Sequence, residues 1–309
     1  MPRRWTMHGL NSGGIFAATY HGVRILPRPI CYGIGHVASW ICWRLMAATN
    51  AALADNLRAV FPEETDSVLR RRALDVYRSY TRDAVDFLKA VPAGQAEAAQ
   101  MFEIAPERLA TLQSLHAEKR GIILVTGHHG NWEAGAVMMT RFLGLPLTVV
   151  AMKEASPEVN RIRQQIRDQL GVETVEVRQS LDTPLQIRRA LAENRFVALL
   201  VDRHYGRDRV AVTFFGRQAW FLRTPMVLAN LTGAPLVPCF IRRAGRGRFF
   251  ALPGRPVDIR TDLPRDAAIQ AAAQDIADQL AEQIRLHPEC WYQFYRYWDA
   301  QRDDYTGLD

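Results

Sequence analysis

From Gly121 onward the chain alternates short β-branched apolar runs with helical stretches, and this rhythm constrains its fold more than any other feature. Gly121-Ile-Ile-Leu-Val-Thr126 has no polar position until its last residue, which suits a strand covered on both faces. Further strands are expected at Leu147–Ala151, Val172–Val177, Phe196–Val201, Leu236–Ile241 and Phe249–Leu252. The intervening helices are Trp132–Phe142, capped by Asn131 and stopped by Gly144 and Pro146, and Pro157–Leu170, closed by Gly171. Thr183–Glu193, Thr224–Leu231 and Asp266–Leu286 complete the set. Strands joined through helices run parallel, so the spacing predicts an α/β fold: a layered, mostly parallel central sheet flanked by helices. Chemistry in such sheets gathers at the carboxyl ends of the strands.

The first third of the chain has a different texture. Residues 1–100 read as a helical N-terminal region with a membrane-contacting segment, and residues 101–309 as the α/β domain. Within Glu63–Ala90, the residues Val68, Leu69, Ala73, Val76, Tyr80, Ala84 and Leu88 fall near one helical stripe. The most apolar early run, Ile30–Trp43, is shorter than the ~20 residues a membrane-crossing helix needs. Its Tyr32, Trp40 and Trp43, with Arg24, Arg28 and Arg44 nearby, suit a helix lying among lipid headgroups. A buried core helix is the competing account. Met1–Arg28 carries no apolar block behind a charged start, so no cleaved signal peptide is expected.

Composition narrows the function classes. The 309 residues include 39 Lys and Arg against 32 Asp and Glu, a formal charge of +7. Lysine occurs only at Lys89, Lys119 and Lys153, so the positive charge is almost all guanidinium. A GC-rich genome produces that bias, and so does an anionic partner or membrane surface. The four cysteines, Cys31, Cys42, Cys239 and Cys290, are scattered without a CxxC pair, which rules out a disulfide framework or a cysteine zinc site. No P-loop, dinucleotide fingerprint or basic–aromatic nucleic-acid motif is present.

The densest chemical cluster follows the Ile122–Thr126 strand: Gly127-His-His-Gly-Asn-Trp-Glu133. On an ideal helix His128 and Glu133 stand about 140° apart and share no face. With His128 in the loop and Glu133 in the first helical turn, the carboxylate can reach one imidazole nitrogen. That fixes the tautomer and leaves the other nitrogen to take a proton. Glycines admit substrate closely, and helix-start N–H groups can hold developing negative charge. Such an assembly suits activation of a hydroxyl for attack on an acyl carbonyl.

Gly-His-x-Gly-Asn-Trp-Glu resembles the His-x4-carboxylate signature of glycerolipid acyltransferases, and most closely that of the bacterial lipid A late acyltransferases, the lauroyl/myristoyl transferase family. Other segments agree in order: Asn56-Leu with Phe61-Pro62-Glu63, Leu200-Val-Asp202-Arg203-His204 with Phe214-Phe-Gly216, and Thr232-Gly-Ala-Pro-Leu-Val-Pro238. His287-Pro-Glu-Cys-Trp291 with Tyr295 and Trp298 completes them, so the likeness runs from about Arg24 onward. It implies an acyl-ACP (acyl carrier protein) or acyl-CoA thioester as donor and a hydroxyl of a membrane glycolipid, such as a lipid A precursor, as acceptor. It further implies His128 as general base, Glu133 as its orienting partner, no metal, no cofactor, no acyl-enzyme, and a location on the cytoplasmic side of the inner membrane. The triplet Asp202-Arg203-His204, where the family often has Asp-Gln or Asp-His, also resembles the mycobacterial-type phosphatidylinositol mannoside acyltransferases.

Asn131, Arg167, Asp202 and Arg203 are the candidates for substrate contact. Arg167 belongs to the basic helix face Asn160–Arg167, at a place where the family commonly carries an arginine. Asp202 stands at a strand end like His128, within reach of Arg203. His129 and Trp132 read as packing residues, and so do the aromatics of Trp291–Trp298. Arg242, Arg243, Arg246 and Arg248 form a run that is either solvated or able to steer an acidic carrier. A different class, a zinc or manganese hydrolase using His128, His129, Glu133, Asp202 and His204, lacks the HExxH or HxH spacing that brings ligands together. A non-catalytic lipid- or carrier-binding module is the third alternative.

Overall fold

The computed structural model describes residues 13–177 and 182–302, the side chains of Gln301 and Arg302 excepted. The start of the chain, on which the expectation about a signal peptide bears, lies partly outside the described residues. Among the described residues, the helices α1 (Gly13–Ile25), α2 (Arg28–Leu45), α3 (Ala47–Val60) and α4 (Asp66–Ala90) come first. Pro27, which has no N–H to donate, separates α1 from α2, and Pro29 sits in the first turn of α2, where a missing donor costs nothing. Leu69, Ala73, Val76 and Leu88 of α4 are buried, as their helical spacing requires.

After α5 (Gln95–Met101), β1 (Phe102–Ile104) and α6 (Pro106–Ala117), the alternating body begins with β2 (Ile122–Thr126). A short helix α7 (Ala134–Val137) passes into a π turn at Met138–Phe142, so the helix expected over Trp132–Phe142 is neither continuous nor uniformly α. Then come β3 (Leu147–Ala151), α8 (Pro157–Leu170), β4 (Glu173–Glu176), α9 (Asp182–Ala192) and β5 (Phe196–Leu200). The hairpin β6 (Val210–Phe214) and β7 (Arg217–Phe221) precedes α10 (Thr224–Thr232), β8 (Leu236–Gly245), β9 (Arg248–Pro253), α11 (Arg265–Leu286) and α12 (Tyr297–Arg302).

Seven strands form one sheet in the order β1-β9-β8-β2-β5-β3-β4, parallel throughout except for the β8–β9 pair. Alternate residues of β2 feed two buried layers. Ile123 and Val125 pack with Leu199, Phe240 and α11 residues such as Ile276 and Leu280 on one side. Ile122 and Leu124 pack with Phe196, Ile241 and the helical residues Tyr20, Val23, Leu88 and Ile162 on the other. Both faces are thus covered, which is why the strand is apolar along its length.

The β6–β7 hairpin was not expected from the sequence. Its two-residue turn places both Phe215 and Gly216 at positive φ (51° and 70°), a conformation usually marked by Asn-Gly, so the customary turn signal is missing. The three-residue β1 is too short to show a period.

One helix face is left bare. Ile30, Ile34, Val37, Trp40, Ile41 and Leu45 of α2 are exposed, as are Ile15 and Ile25 of α1, while Cys31 and Ser39 of α2 face inward. Among the described residues, no helix is long and apolar enough to cross a membrane.

Candidate active site

Strand register builds the site. β2 and β5 run parallel with Thr126 beside Leu200, so two residues further along His128 lies beside Asp202. Gly127 makes the close approach possible: a Cβ there would sit 2.7 Å from Leu280 Cδ2 and 3.3 Å from Asp202 Oδ2. Asp202 is fully buried and its carboxylate accepts three hydrogen bonds. Oδ1 takes Nδ1–H of His128 at 2.7 Å. Oδ2 takes the backbone N–H of His128 at 2.9 Å and Nε2–H of Gln293 at 2.7 Å. The carbonyl of Asp202 accepts from the Tyr297 hydroxyl at 2.8 Å, which fixes the strand end itself.

The imidazole of His128 stands edge-on to Trp132, with ring centroids 5.2 Å apart, and its side chain is 19% exposed. Its Nδ1 is engaged with Asp202, which leaves Nε2 as the basic nitrogen. Burial, followed by the charge of Arg203, holds the imidazole below its ordinary pKa, against the opposing pull of Asp202. His128 is therefore neutral at pH 7 and able to accept a proton. Burial works against ionisation of Asp202, but the His128 ring and backbone N–H, with Arg203, bring its carboxyl below the usual range.

The expectation that Glu133 orients the imidazole needs correction in its geometry. The Glu133 carboxylate leads away to Arg163 of α8, with which it forms an ion pair. Arg163 Nε also lies 3.3 Å from Glu154, and the guanidinium sits over Phe16 of α1, 5.6 Å from the ring centre. Its pKa is raised, chiefly by Glu133. Arg163 lies close enough to His128 for its charge to help lower the imidazole pKa. The pair inferred from sequence is replaced by two pairs, His128–Asp202 and Glu133–Arg163.

The other candidates divide. Arg203 donates from Nε and Nη2 to Gln293 Oε1, at 3.2 and 2.9 Å, and lies over the Tyr295 ring. Arg167, one turn beyond Arg163, is half-buried and has no ion-pair partner among the described residues; burial and then Arg163 lower its pKa. Asn131 is buried and committed to the loop: its Oδ1 accepts from Ala134 N–H at 3.2 Å and its Nδ2 donates to the Asp83 carbonyl at 2.8 Å. Gly130 has φ +67°, and any Cβ there would run into the Ile241 carbonyl. Asn131 N–H donates to that same oxygen at 2.6 Å, locking the loop to β8.

His129 packs beside Phe240 and donates from Nε2 to the His287 carbonyl at 3.1 Å, with burial pushing its pKa down to about 4. His204 is buried and hydrogen-bonds the Gly206 carbonyl. Among the described residues, no three His, Cys, Asp or Glu side chains converge as metal ligands.

Sequence reasoning missed Arg163 and Gln293. Arg163 was visible only as one of several arginines on the Asn160–Arg167 face. Gln293 carried no signal, though Asn56 of the early block holds its neighbourhood. Asn56 Nδ2 donates to the carbonyls of Gln293 and Tyr295 at 2.9 and 2.7 Å. Tyr292 N–H reaches the His128 carbonyl at 2.8 Å, so the C-terminal segment braces the histidine from behind. Cavities of about 410 and 190 Å³ lie elsewhere, and neither is lined by His128.

A neutral imidazole oriented by a buried carboxylate, set at the carboxyl end of a parallel strand with two arginines nearby, is the equipment of a base-catalysed group-transfer enzyme of the α/β class. Residues 2–300 match the model of the bacterial lipid A biosynthesis acyltransferases. The chain belongs to that family and is an acyltransferase of glycolipids. It is also similar to the phosphatidylinositol mannoside acyltransferase of Mycolicibacterium smegmatis, 28% identical over 301 residues, covering 94% of this chain and 92% of the relative. The protein of the same description from Mycobacterium tuberculosis is 29% identical over 181 residues, 58% of this chain and 55% of the relative.

Proposed function

We propose that the protein transfers a fatty acyl group from an acyl-ACP or acyl-CoA thioester to a hydroxyl of a membrane glycolipid such as a lipid A precursor, with His128 as general base. The observation that carries this is the His128 Nδ1–Asp202 contact of 2.7 Å, which leaves Nε2 as the proton acceptor. As Nε2 takes the hydroxyl proton, the oxygen attacks the thioester carbonyl and a C–O bond forms. The tetrahedral oxyanion collapses, the C–S bond breaks, and the imidazolium returns its proton to the departing thiolate. This sequence needs no metal, no other cofactor and no acyl-enzyme. Arg163, fixed by Glu133, and Arg203 supply positive charge where the oxyanion develops; removal of one such donor typically costs ~10²–10³ in rate. Glu133 then acts through Arg163, Arg167 is placed for the phosphate or thioester end of a substrate, and Asn131 holds the loop.

The exposed apolar face of α2, flanked by Arg24, Arg28 and Arg44, supports peripheral attachment to the cytoplasmic face of the inner membrane. A second acceptor, a phosphatidylinositol mannoside-type glycolipid, is favoured by the descriptions of the relatives and by the Asp202-Arg203-His204 triplet. Mass spectrometry of membrane lipids from cells with and without the protein separates the two by naming acceptor and acyl chain together. His128→Ala is expected to abolish transfer while the far-ultraviolet circular dichroism is kept. Turnover by that variant within tenfold of the parent overturns the assignment.

A further inference from the structure

The larger cavity, about 410 Å³, opens between α2, α4 and β8 and is lined by Arg72, Arg78, Arg82 and Arg243 against only two carboxylates, Asp75 and Glu289. Its guanidiniums are unequally engaged. Arg72 is held bidentately by Glu64, and Arg78 Nη1 meets Asp75 at 3.1 Å. Arg243 Nε lies 3.6 Å from Asp83 Oδ1, too far for a hydrogen bond, and Nε of both Arg78 and Arg243 is buried without a hydrogen-bond partner among the described residues. Arg82 is exposed and has no ion-pair partner among the described residues. The cavity, of ordinary ligand size, is therefore faced by the exposed Arg82 and by the partly exposed side chains of Arg78 and Arg243.

Place decides the source of the anion. His36 of α2 lines the cavity, and the next residue, Val37, together with Trp40 one turn on, belongs to the bare apolar face. We propose that this pocket, separate from the His128 site, binds the phosphate of an anionic membrane lipid through Arg82, Arg243 and Arg78 while the apolar face of α2 lies in the same leaflet. The proposal rests on the membrane attachment inferred above. Guanidinium forks match phosphate oxygens in pairs, and a concavity encloses a small headgroup rather than the broad convex surface of an acidic protein. Ser79 connects the pocket to the site: its Oγ lies 3.0 Å from the Tyr292 hydroxyl, and Tyr292 N–H supports His128. A lipid held here fixes the depth at which the catalytic loop meets its membrane substrates.

The test is co-sedimentation of the full chain with vesicles of phosphate-free digalactosyldiacylglycerol, plain or made anionic with phosphatidylglycerol or with oleate. The expected result is binding to plain vesicles, tightened about tenfold by phosphatidylglycerol and less by oleate. Arg82→Glu, at an exposed position, and Arg82→Ala/Arg243→Ala lose the phosphatidylglycerol gain and keep plain-vesicle binding. Equal tightening by oleate, or a gain that survives both variants, overturns the proposal. So does inorganic phosphate that competes as well as the lipid, since the source is then free phosphate. Soluble dihexanoylphosphatidylglycerol tests the pocket without a bilayer. Its binding without any vesicle binding refutes membrane attachment and supports the phosphate site; no binding of it overturns the pocket itself.

Discussion

Replacing Asp202 with Asn tests which carboxylate orients the histidine, because the surrounding donors dictate how an amide must sit. Oδ2 of Asp202 receives two donors, His128 N–H and Gln293 Nε2–H, while Oδ1 receives one, Nδ1–H of His128. Gln293 cannot readily turn over, since its Oε1 already accepts from Arg203. The oxygen of the substituted amide therefore takes the Oδ2 place and satisfies two donors, and its NH₂ faces Nδ1. His128 then accepts at Nδ1 and carries its proton on Nε2, the wrong tautomer for a base. In serine proteases the same change of tautomer costs about 10⁴ in rate. The expected loss in kcat/KM here is ~10³–10⁴, or about 4–5.5 kcal/mol of transition-state stabilisation, with KM nearly unchanged. Exchange of charge-assisted for neutral hydrogen bonds costs about 1 kcal/mol of stability, so the variant folds. Steady-state transfer to a glycolipid acceptor measures the first effect, and ¹⁵N chemical shifts of the His128 ring report the proton moving from Nδ1 to Nε2. Activity within tenfold of the parent, or an unchanged tautomer, refutes the assignment of Asp202.

Glu133→Gln is expected to lower kcat by ~10²–10³ while leaving the His128 tautomer intact, because it loosens Arg163 rather than the imidazole. In a double-mutant cycle its effect and that of Arg163→Met should be far from additive, which kcat values for the four proteins would show. The acid limb of kcat/KM should lie below the ordinary histidine value, activity rising with pH to a plateau; Arg203→Gln removes a charge that lowers this pKa and should move the limb upward. Burial, against the pull of Tyr292 and Arg243 and with the help of Asp86 and Glu289, raises the Asp83 carboxyl from 3.8 to about 7. The native state therefore holds this proton more tightly than the unfolded chain, so its contribution is complete below about pH 4 and is lost as pH rises to about 7, at most ~4 kcal/mol. Asp83→Asn, which can still accept from Tyr292, should gain stability over the parent as pH rises from 5 to 8 in thermal melts. Gly130→Ala is expected to cost several kcal/mol or prevent folding, through positive φ and the Ile241 carbonyl, as chemical denaturation would report.

Most of the elements were legible from local period and from position along a strand, though the β6–β7 hairpin and the π turn at Met138–Phe142 were not. Fully apolar runs such as Ile122–Val125 announced a sheet covered on both faces, and the helical stripe of α4 announced its buried side. The polar cluster directly after β2 marked the candidate site, the loop that carries His128. Which partners the cluster meets depends instead on how distant elements pack. Glu133 follows His128 by five residues, yet the helical turn sends its carboxylate toward Arg163; Asp202 is remote in sequence, yet the β2–β5 register sets it beside the imidazole. Arg163 and Arg167 share one basic face and Gln293 lies in an aromatic segment, so their neighbours could not be read from spacing. Local pattern records which face of an element avoids water, whereas a hydrogen-bond partner is fixed by how separate elements are laid side by side.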